Sequence, residues 1–501
     1  MAHRRRVGED AMIRKLTLTV ALLALSTSAA LAAKDSITVG MVLEPPILDP
    51  TAGAAAAIKE VTYANIFEGL TRFGPDGSIR PALAKSWDVA DDGKVWTFHL
   101  QSGVTFQDGT PFSADDVKFS YDRARGADSP NAQKPKYAGI DSVDVIDPVT
   151  VRFTLKAPDG YFTFLTALGD AAIVSPKTVA TDATDPIGTG PFKFVDWVKG
   201  DHIDIARNPA YWGTPVKLAK ATFKFISDPN AAYAAMMSGD VDAFPNFPAP
   251  ETLDQFKSNP EFSVIVGTTE GETILAMNNS NPPLNNVKVR EAIAHAINRK
   301  DIIDGAMFGY GTPIGTHFAP HNPDYVDLTG LSNYDPALSK KLLAEAGVTN
   351  LKLRLALPPP SYARRGGEII QNELKAVGID TEVTNMEWAQ WLDQVFKRHD
   401  FDLTIVSHTE ANDIDIYARP DYYFGYGKPE FVALMDKLQG TVDPAARSAI
   451  LKEAQTMIAK DYVNAYLFQL AKTGVANAHI HGLWANAPAQ ATDLTEVYWD
   501  N

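Results

Sequence analysis

The chain has 501 residues, 45% of them apolar and none of them cysteine, and a formal charge of −15. That length supplies core enough for two or three structural units and excludes disorder as the default. The 61 acidic against 46 basic residues argue against nonspecific nucleic-acid or anionic-membrane partners, and zero cysteine removes disulfides, thiolate metal sites, cysteine nucleophiles and any lipid carried on a cysteine.

At the N-terminus, Arg14 and Lys15 precede the apolar run Leu16–Leu25, and Ala30-Leu31-Ala32 offers the small-x-small pattern of a cleavage site. The run is too short for a membrane anchor, so a secretory signal peptide over residues 1–32 is expected. Removing it takes away five basic and two acidic residues, leaving 41 − 59 = −18. No later stretch reaches 18 uninterrupted apolar residues. An exported protein of the periplasm, without membrane insertion or lipid tether and monomeric, is expected.

Ser36-Ile-Thr-Val-Gly-Met-Val42 then alternates as a strand that ends at Glu44-Pro45-Pro46. A helix is expected over 54–70, and Ala82–Trp87 leads into the turn Asp91-Asp92-Gly93-Lys94. Val95–Leu100 and Val104–Phe106 flank Gly103 as a hairpin-like pair. Ser113, with Asp116 three residues on, caps a helix that carries Val117, Phe119 and Tyr121. Val143–Ile146 and Val149–Leu155 form a strand pair around Asp147-Pro148.

Beyond about residue 275 helices and strands alternate, which marks an α/β lobe. A helix over Val287–Ile303 puts Val289, Ile293, Ala296 and Ile297 on one face. Asp335-Pro336 starts another that stops at Gly347. Strands follow at Leu351–Leu357, Ile379–Val383 and Phe401–Val406, with helices at Arg365–Val377 and Pro444–Asp461. No linker separates the halves, and units joined that way usually cross over more than once and bind ligands at the crossover.

No GxSxG, HExxH, Walker A or GxGxxG motif is present, so neither catalysis nor a cofactor is expected. His295 reads as a hydrogen-bonded core histidine and His479 with His481 as a surface turn. His317 and His321 flank Pro320 in a loop, and no metal centre is expected there.

The landmarks nevertheless follow one order. Asn65-Ile-Phe-Glu-Gly-Leu70, Pro81–Trp87, Asp91–Leu100, Gly103–Phe106, Asp108–Phe112 and Asp115–Ser120 lead to Pro186-Ile-Gly-Thr-Gly-Pro-Phe192. Asn208-Pro-Ala-Tyr-Trp212, Gly239–Asp242, Val289–Ile297 and Tyr334–Gly347 complete the set. In this series the chain resembles the family 5 extracellular solute-binding proteins, receptors of dipeptide, oligopeptide and nickel ABC importers. The resemblance implies a two-lobed α/β binding-protein fold (type II, cluster C) with no enzyme activity. It implies a first lobe of residues 33–266 and 474–501 with an extra subdomain at about 52–185, and a second lobe of about 267–473. The function it implies is the substrate-binding component of an ABC importer that hands peptides or peptide-like solutes to inner-membrane permease subunits. Opines, oligosaccharides, haem or a metal chelate are the alternatives, and a secreted hydrolase is a more distant one.

A peptide-like solute brings an ammonium and a carboxylate, each needing an opposite charge or aimed dipoles once enclosed. The resemblance to the dipeptide-binding members implies an amine anchor at Asp413, with Asp415 in reserve, although Ile414 stands where the family often has proline. It also implies Arg364 as the carboxylate partner, where a planar guanidinium can bind bidentately. Between those ends Trp388, Trp391, Tyr417 and His408 are candidate walls, and the stretch His408–Tyr426 is expected to decide specificity. Gly188-Thr189-Gly190 permits either close approach to a ligand or a tight crossing turn.

Overall fold

The computed structural model describes residues 34–500 except 54, 91, 92 and 132, so the signal peptide read over residues 1–32 lies outside the described residues. Among the described residues no helix is long and apolar enough to cross a membrane.

One mixed sheet of eleven strands runs through two α/β lobes. In the first lobe Ser36–Met41 lies parallel to both Lys220–Phe225 and Ala243–Phe244. In the second, Leu351–Leu357 lies between Ile379–Asn385 and Leu403–His408, parallel to both. Two long antiparallel strands join the lobes, Phe262–Met277 of 16 residues and Asn464–Asn477 of 14. Their pairing breaks between Thr268 and Glu272, so residues 269–271 leave the ladder midway between the lobes. Gly271 sits in this interruption, where a Cβ would stand 2.8 Å from the Leu470 side chain. Glycine inside a strand commonly marks such a break.

Burial of the alternating apolar residues holds each lobe. Ile37, Val39, Ile203 and Phe223 share a core with Leu494 and Val497, so the C-terminal segment closes on the N-terminal strand. Trp499 Nε1 adds a hydrogen bond of 2.9 Å to the Ser36 carbonyl. In the second lobe, helices Val287–Ala296, Arg299–Met307, Pro336–Glu345 and Ser361–Ala376 pack on one side of the sheet. Helices Pro429–Gly440 and Pro444–Lys460 pack into a second core. A separate four-stranded sheet with helix Ala114–Arg125 forms the subdomain, and its core is built on Phe98, Tyr121, Phe153 and Phe162.

Local signals hold where chemistry is local. Ser113 and Asp116 form a capping box, and Asp335 accepts from Leu338 N at 2.8 Å ahead of Pro336. His295 is buried and hydrogen-bonded to the Asn333 carbonyl at 2.6 Å, as a core histidine should be. The helix read over 54–70 is shorter, Ala56–Thr62, because Tyr63 turns to extended backbone. The helix read over 287–303 is two, because the Asn298 side chain accepts from Lys300 N and starts a new one at Arg299. Val104–Phe106 is not a strand; Val95–Leu100 pairs instead with Ala84–Val89 and Thr150–Leu155. Ala84–Val89 precedes it directly, whereas Thr150–Leu155 is remote in sequence, and periodicity cannot choose that partner.

Three of the landmarks meet in one buried knot. The Glu68 carboxylate accepts from Thr189 Oγ1 at 2.8 Å, Tyr211 Oη at 2.9 Å and Trp212 Nε1 at 2.9 Å. Burial pushes the Glu68 carboxyl above its ordinary range against these donors.

Asp182 is fully buried, with Oδ1 accepting from Ile187 N at 3.1 Å and Oδ2 lacking a protein partner. Burial, reinforced by nearby Asp49, raises its carboxyl from 3.8 to about 7. The folded state therefore holds this proton more tightly than the unfolded chain. The stabilisation is complete below the unfolded value and is lost as pH rises toward 7. Across that window Asp182 should cost up to about 1.4 kcal/mol per pH unit. Urea denaturation at pH 5 and pH 7 is expected to show a smaller pH dependence in Asp182→Asn than in the wild type; equal slopes would reject the assignment.

Candidate ligand-binding site

The break at 269–271 forms part of the wall of a cavity of about 310 Å³ between the lobes. Lys59, Glu60 and Tyr63 line it from the helix Ala56–Thr62 and the residue that ends it, and Gln133, Lys136 and Asp170 from the subdomain. Thr409, Glu410 and Ala411 come from the second lobe, and Ala487–Ala491 from the C-terminal return. The lobes touch around it. Lys136 Nζ reaches Glu410 Oε2 at 3.3 Å, Gly160 N donates to the Gln439 carbonyl at 2.7 Å, and the Arg447 guanidinium stands 4.8 Å over the Tyr161 ring.

Among the lining residues, two lysines (Lys59, Lys136) face four acids (Glu60, Asp170, Glu270, Glu410), a formal balance of 2 − 4 = −2. Lys59 is committed to Asp170 at 2.9 Å, a pair nearly out of water. Glu270 Oε1 meets His321 Nε2 at 2.7 Å. Burial raises the Glu60 carboxyl, opposed by Lys472, and burial lowers the Lys472 ammonium to about 8, opposed by Glu60. Carboxylates held out of water, as Glu60 and Glu270 are, are stabilised by an opposite charge brought beside them.

Of the ten residues expected at the ligand, none is among those lining this cavity. Gly188 and Gly190 have a packing reason for their identity, since a Cβ at either would stand 2.0 Å or 2.5 Å from the Ile66 or Asn65 carbonyl oxygen, and Thr189 serves Glu68. Arg364 lies in the first turn of helix Ser361–Ala376 and pairs with Glu387 at 3.1 Å. Asp415 is exposed and pairs with Arg419 at 2.6 Å. Trp391 is buried, donating to Thr404 Oγ1 at 2.9 Å, and exposed Trp388 stands edge-on to it.

Asp413, His408 and Tyr417 do come together, with His317 as a fourth member. His317 Nε2 lies 2.9 Å from Asp413 Oδ1, and His317 Nδ1 lies 3.2 Å from Tyr417 Oη. His408 Nδ1 stands 4.0 Å from Asp413 Oδ2, and its Nε2 hydrogen-bonds Tyr423 Oη at 3.0 Å. Burial would raise the Asp413 carboxyl, but the contact with His317 and the proximity of His408 hold it below its ordinary value. Burial, then His317, pushes His408 down to about 4. These three are the group, among the described residues, whose ligand atoms lie close enough to hold a metal ion. No spacing in the sequence brings His317 to Asp413. Glu270 and Glu60 were equally silent, and the one available signal was Gly271 interrupting an alternating strand.

Two lobes threaded by a pair of shared strands and closed on a charged cavity have the architecture of a solute-binding protein. The chain belongs to the bacterial extracellular solute-binding proteins, family 5, whose middle-region model matches residues 78–430. It is thus the solute-binding component of an ABC importer. Glutathione-binding protein GsiB of Escherichia coli (strain K12) is 31% identical over 376 residues, covering 73% of this chain and 72% of that one. The structure of HbpA2 from Haemophilus parasuis matches with a TM-score of 0.85 at 24% identity, over 93% of this chain and 100% of that chain. DppA from Helicobacter pylori, in complex with the peptide STSA, matches with a TM-score of 0.72 at 25% identity, over 94% of this chain and 99% of that chain.

Proposed function

We propose that this receptor works in the periplasm, exported by the leader over residues 1–32, and delivers a small peptide-like solute as a monomer to an inner-membrane permease. The observation that carries the reading is the cavity closed by both lobes, with its surplus of partly desolvated carboxylates. Its volume of about 310 Å³ sits at the small end of the roughly 300–1,000 Å³ of small-ligand pockets, which favours a di- or tripeptide over a long chain. The solute's ammonium would meet Glu270, with Glu60 beside it, and its carboxylate would meet Lys136. The glutathione-binding relatives and the peptide-bound structural neighbour support a solute of this kind. The lobes would close on the solute because it makes contacts to both only in the closed state.

Mass spectrometry of ligand released from protein purified without denaturation should find a stoichiometric small peptide or peptide-like conjugate. Calorimetry with that compound should show Glu270→Gln weaker by roughly 2–5 kcal/mol, the cost of unpairing a desolvated charge. Unchanged affinity would remove Glu270 from the anchor. Turnover of the solute would overturn the receptor reading in favour of a hydrolase.

A further inference from the structure

Glu270 is held from behind the cavity wall. It stands in the strand break and lines the cavity, and among the described residues its carboxylate has one hydrogen-bond partner, His321. His321 is not among the lining residues. Its side chain is 3% exposed against 11% for Glu270, so Nε2 and Oε1 meet at 2.7 Å almost out of water.

The other ring nitrogen shows where the imidazole carries its hydrogen. His321 Nδ1 lies 2.5 Å from Thr268 Oγ1, which also lies 3.3 Å from Asn486 Oδ1. Thr268 N donates to Asn486 Oδ1 at 3.0 Å, so that atom is an oxygen and has no hydrogen to offer the threonine. The hydroxyl hydrogen goes to the nearer acceptor, Nδ1, and the ring hydrogen is left on Nε2, where Glu270 accepts it. One imidazole thus bridges Thr268 and Glu270 of the same strand, at the point where its ladder fails.

We infer that His321 is the positioning residue of the solute anchor: as the neutral Nε2–H tautomer it aims the Glu270 carboxylate into the cavity without cancelling its charge. The inference rests on the reading of Glu270 as the partner of the solute's ammonium. A protonated ring would donate to Glu270 equally well but would leave the pair with no net charge, and an ammonium would gain little beside it. Other titratable groups face the pair from each neighbouring element. Glu272 shares its strand, Asp324 its loop, and Tyr161 reaches it from the subdomain. Lys472 lies on the facing strand, and Asp76 adjoins Gly77, whose Cβ position is 3.6 Å from the ring. None of these changes in the comparison below, which therefore isolates the imidazole.

The mature protein labelled with nitrogen-15 gives the first test, in two-bond proton–nitrogen spectra of its histidine rings. The His321 signals, assigned by their loss in His321→Gln, should show the Nε2–H tautomer, and the Nε2 proton should shift in Glu270→Gln. An Nδ1–H ring, or signals indifferent to Glu270→Gln, overturns the proposal. Calorimetry with alanyl-alanine and trialanine as probes gives the second. The tighter probe should bind His321→Leu roughly 10–150-fold more weakly than the wild type, the worth of a hydrogen bond to a charged group. His321→Gln keeps an N–H donor and should recover most of that loss. From pH 7 to pH 5 the wild type should lose more affinity than His321→Gln, whose donor takes up no proton. Full affinity in His321→Leu beside a weakened Glu270→Gln leaves the anchor standing and overturns the role of His321, as do parallel pH profiles. Full affinity in Glu270→Gln, or no binding of either probe by the wild type, overturns the anchor and this inference with it. The wild-type spectrum and the glutamine variant decide even if His321→Leu fails to fold.

Discussion

Gly160→Val should weaken solute binding by roughly 5–150-fold while the lobes remain folded. Gly160 belongs to the subdomain, and its N–H donates to the Gln439 carbonyl of the second lobe at 2.7 Å. A Cβ built there would stand 1.8 Å from the Thr441 carbonyl oxygen. The obstacle is backbone, so no side chain can swing aside, and the relief available is to part the lobes. A solute that gains its affinity from contacts on both walls then binds a state lacking one wall, and its apparent affinity falls by the population it must restore. The fold itself loses nothing, because the clash lies between lobes and not within a core. Calorimetry with the solute, small-angle scattering and thermal melting should together report weaker binding, a more open particle and a near-unchanged midpoint. Unchanged affinity would mean that closure at this contact is not coupled to binding.

Glu68→Ala should destabilise the first lobe by about 3–5 kcal/mol, in the range for breaking a buried charged network. Three donors converge on this carboxylate: Thr189 Oγ1, Tyr211 Oη and Trp212 Nε1. Alanine would leave all three without their acceptor, and each orphaned buried donor forfeits its desolvation cost. Glu68→Gln keeps one acceptor oxygen but turns an NH₂ toward donors, so it should fall between wild type and alanine. Urea denaturation measures the series. A change in Glu68→Ala within the roughly 0.5 kcal/mol of ordinary surface substitutions would show the knot to be incidental.

That knot also shows how the sequence could be read. Glu68, Thr189 and Tyr211-Trp212 are separate landmarks in the sequence, and the structure makes them one hydrogen-bonded unit. The two glycines beside Thr189 were open to a ligand or a turn; the nearby Asn65 and Ile66 carbonyls give them a packing reason. Elements governed by neighbours in sequence were legible, among them the capping box at Ser113 and the strand Leu351–Leu357. Partner choice across the chain was not, since Val95–Leu100 pairs with Thr150–Leu155 rather than with Val104–Phe106, and at Asn298 a local cap interrupts an apolar face that otherwise runs on. At the candidate site the stretch beginning at His408 was marked, and its Glu410 does line the cavity. Arg364 instead pairs with Glu387, because its helix points it to the strand-end loop beside it.

The sequence by itself determined the composition-level exclusions, the α/β rhythm of the second half and the family, because caps, alternation and ordered landmarks depend on residues close in the chain. Only the tertiary structure decided what lines the cavity and what His317 touches. Glu60, Lys136, Glu270 and Glu410 come from four segments and share a common field only through the fold that gathers them around one cavity. His317 and Asp413 are 96 residues apart in the chain, and their side chains meet at 2.9 Å. Desolvation and charge proximity act through space, and no pattern along a single chain encodes a distance across a fold. The charge of −15 is a total over the whole chain, while −2 is the formal balance of the residues that line the cavity.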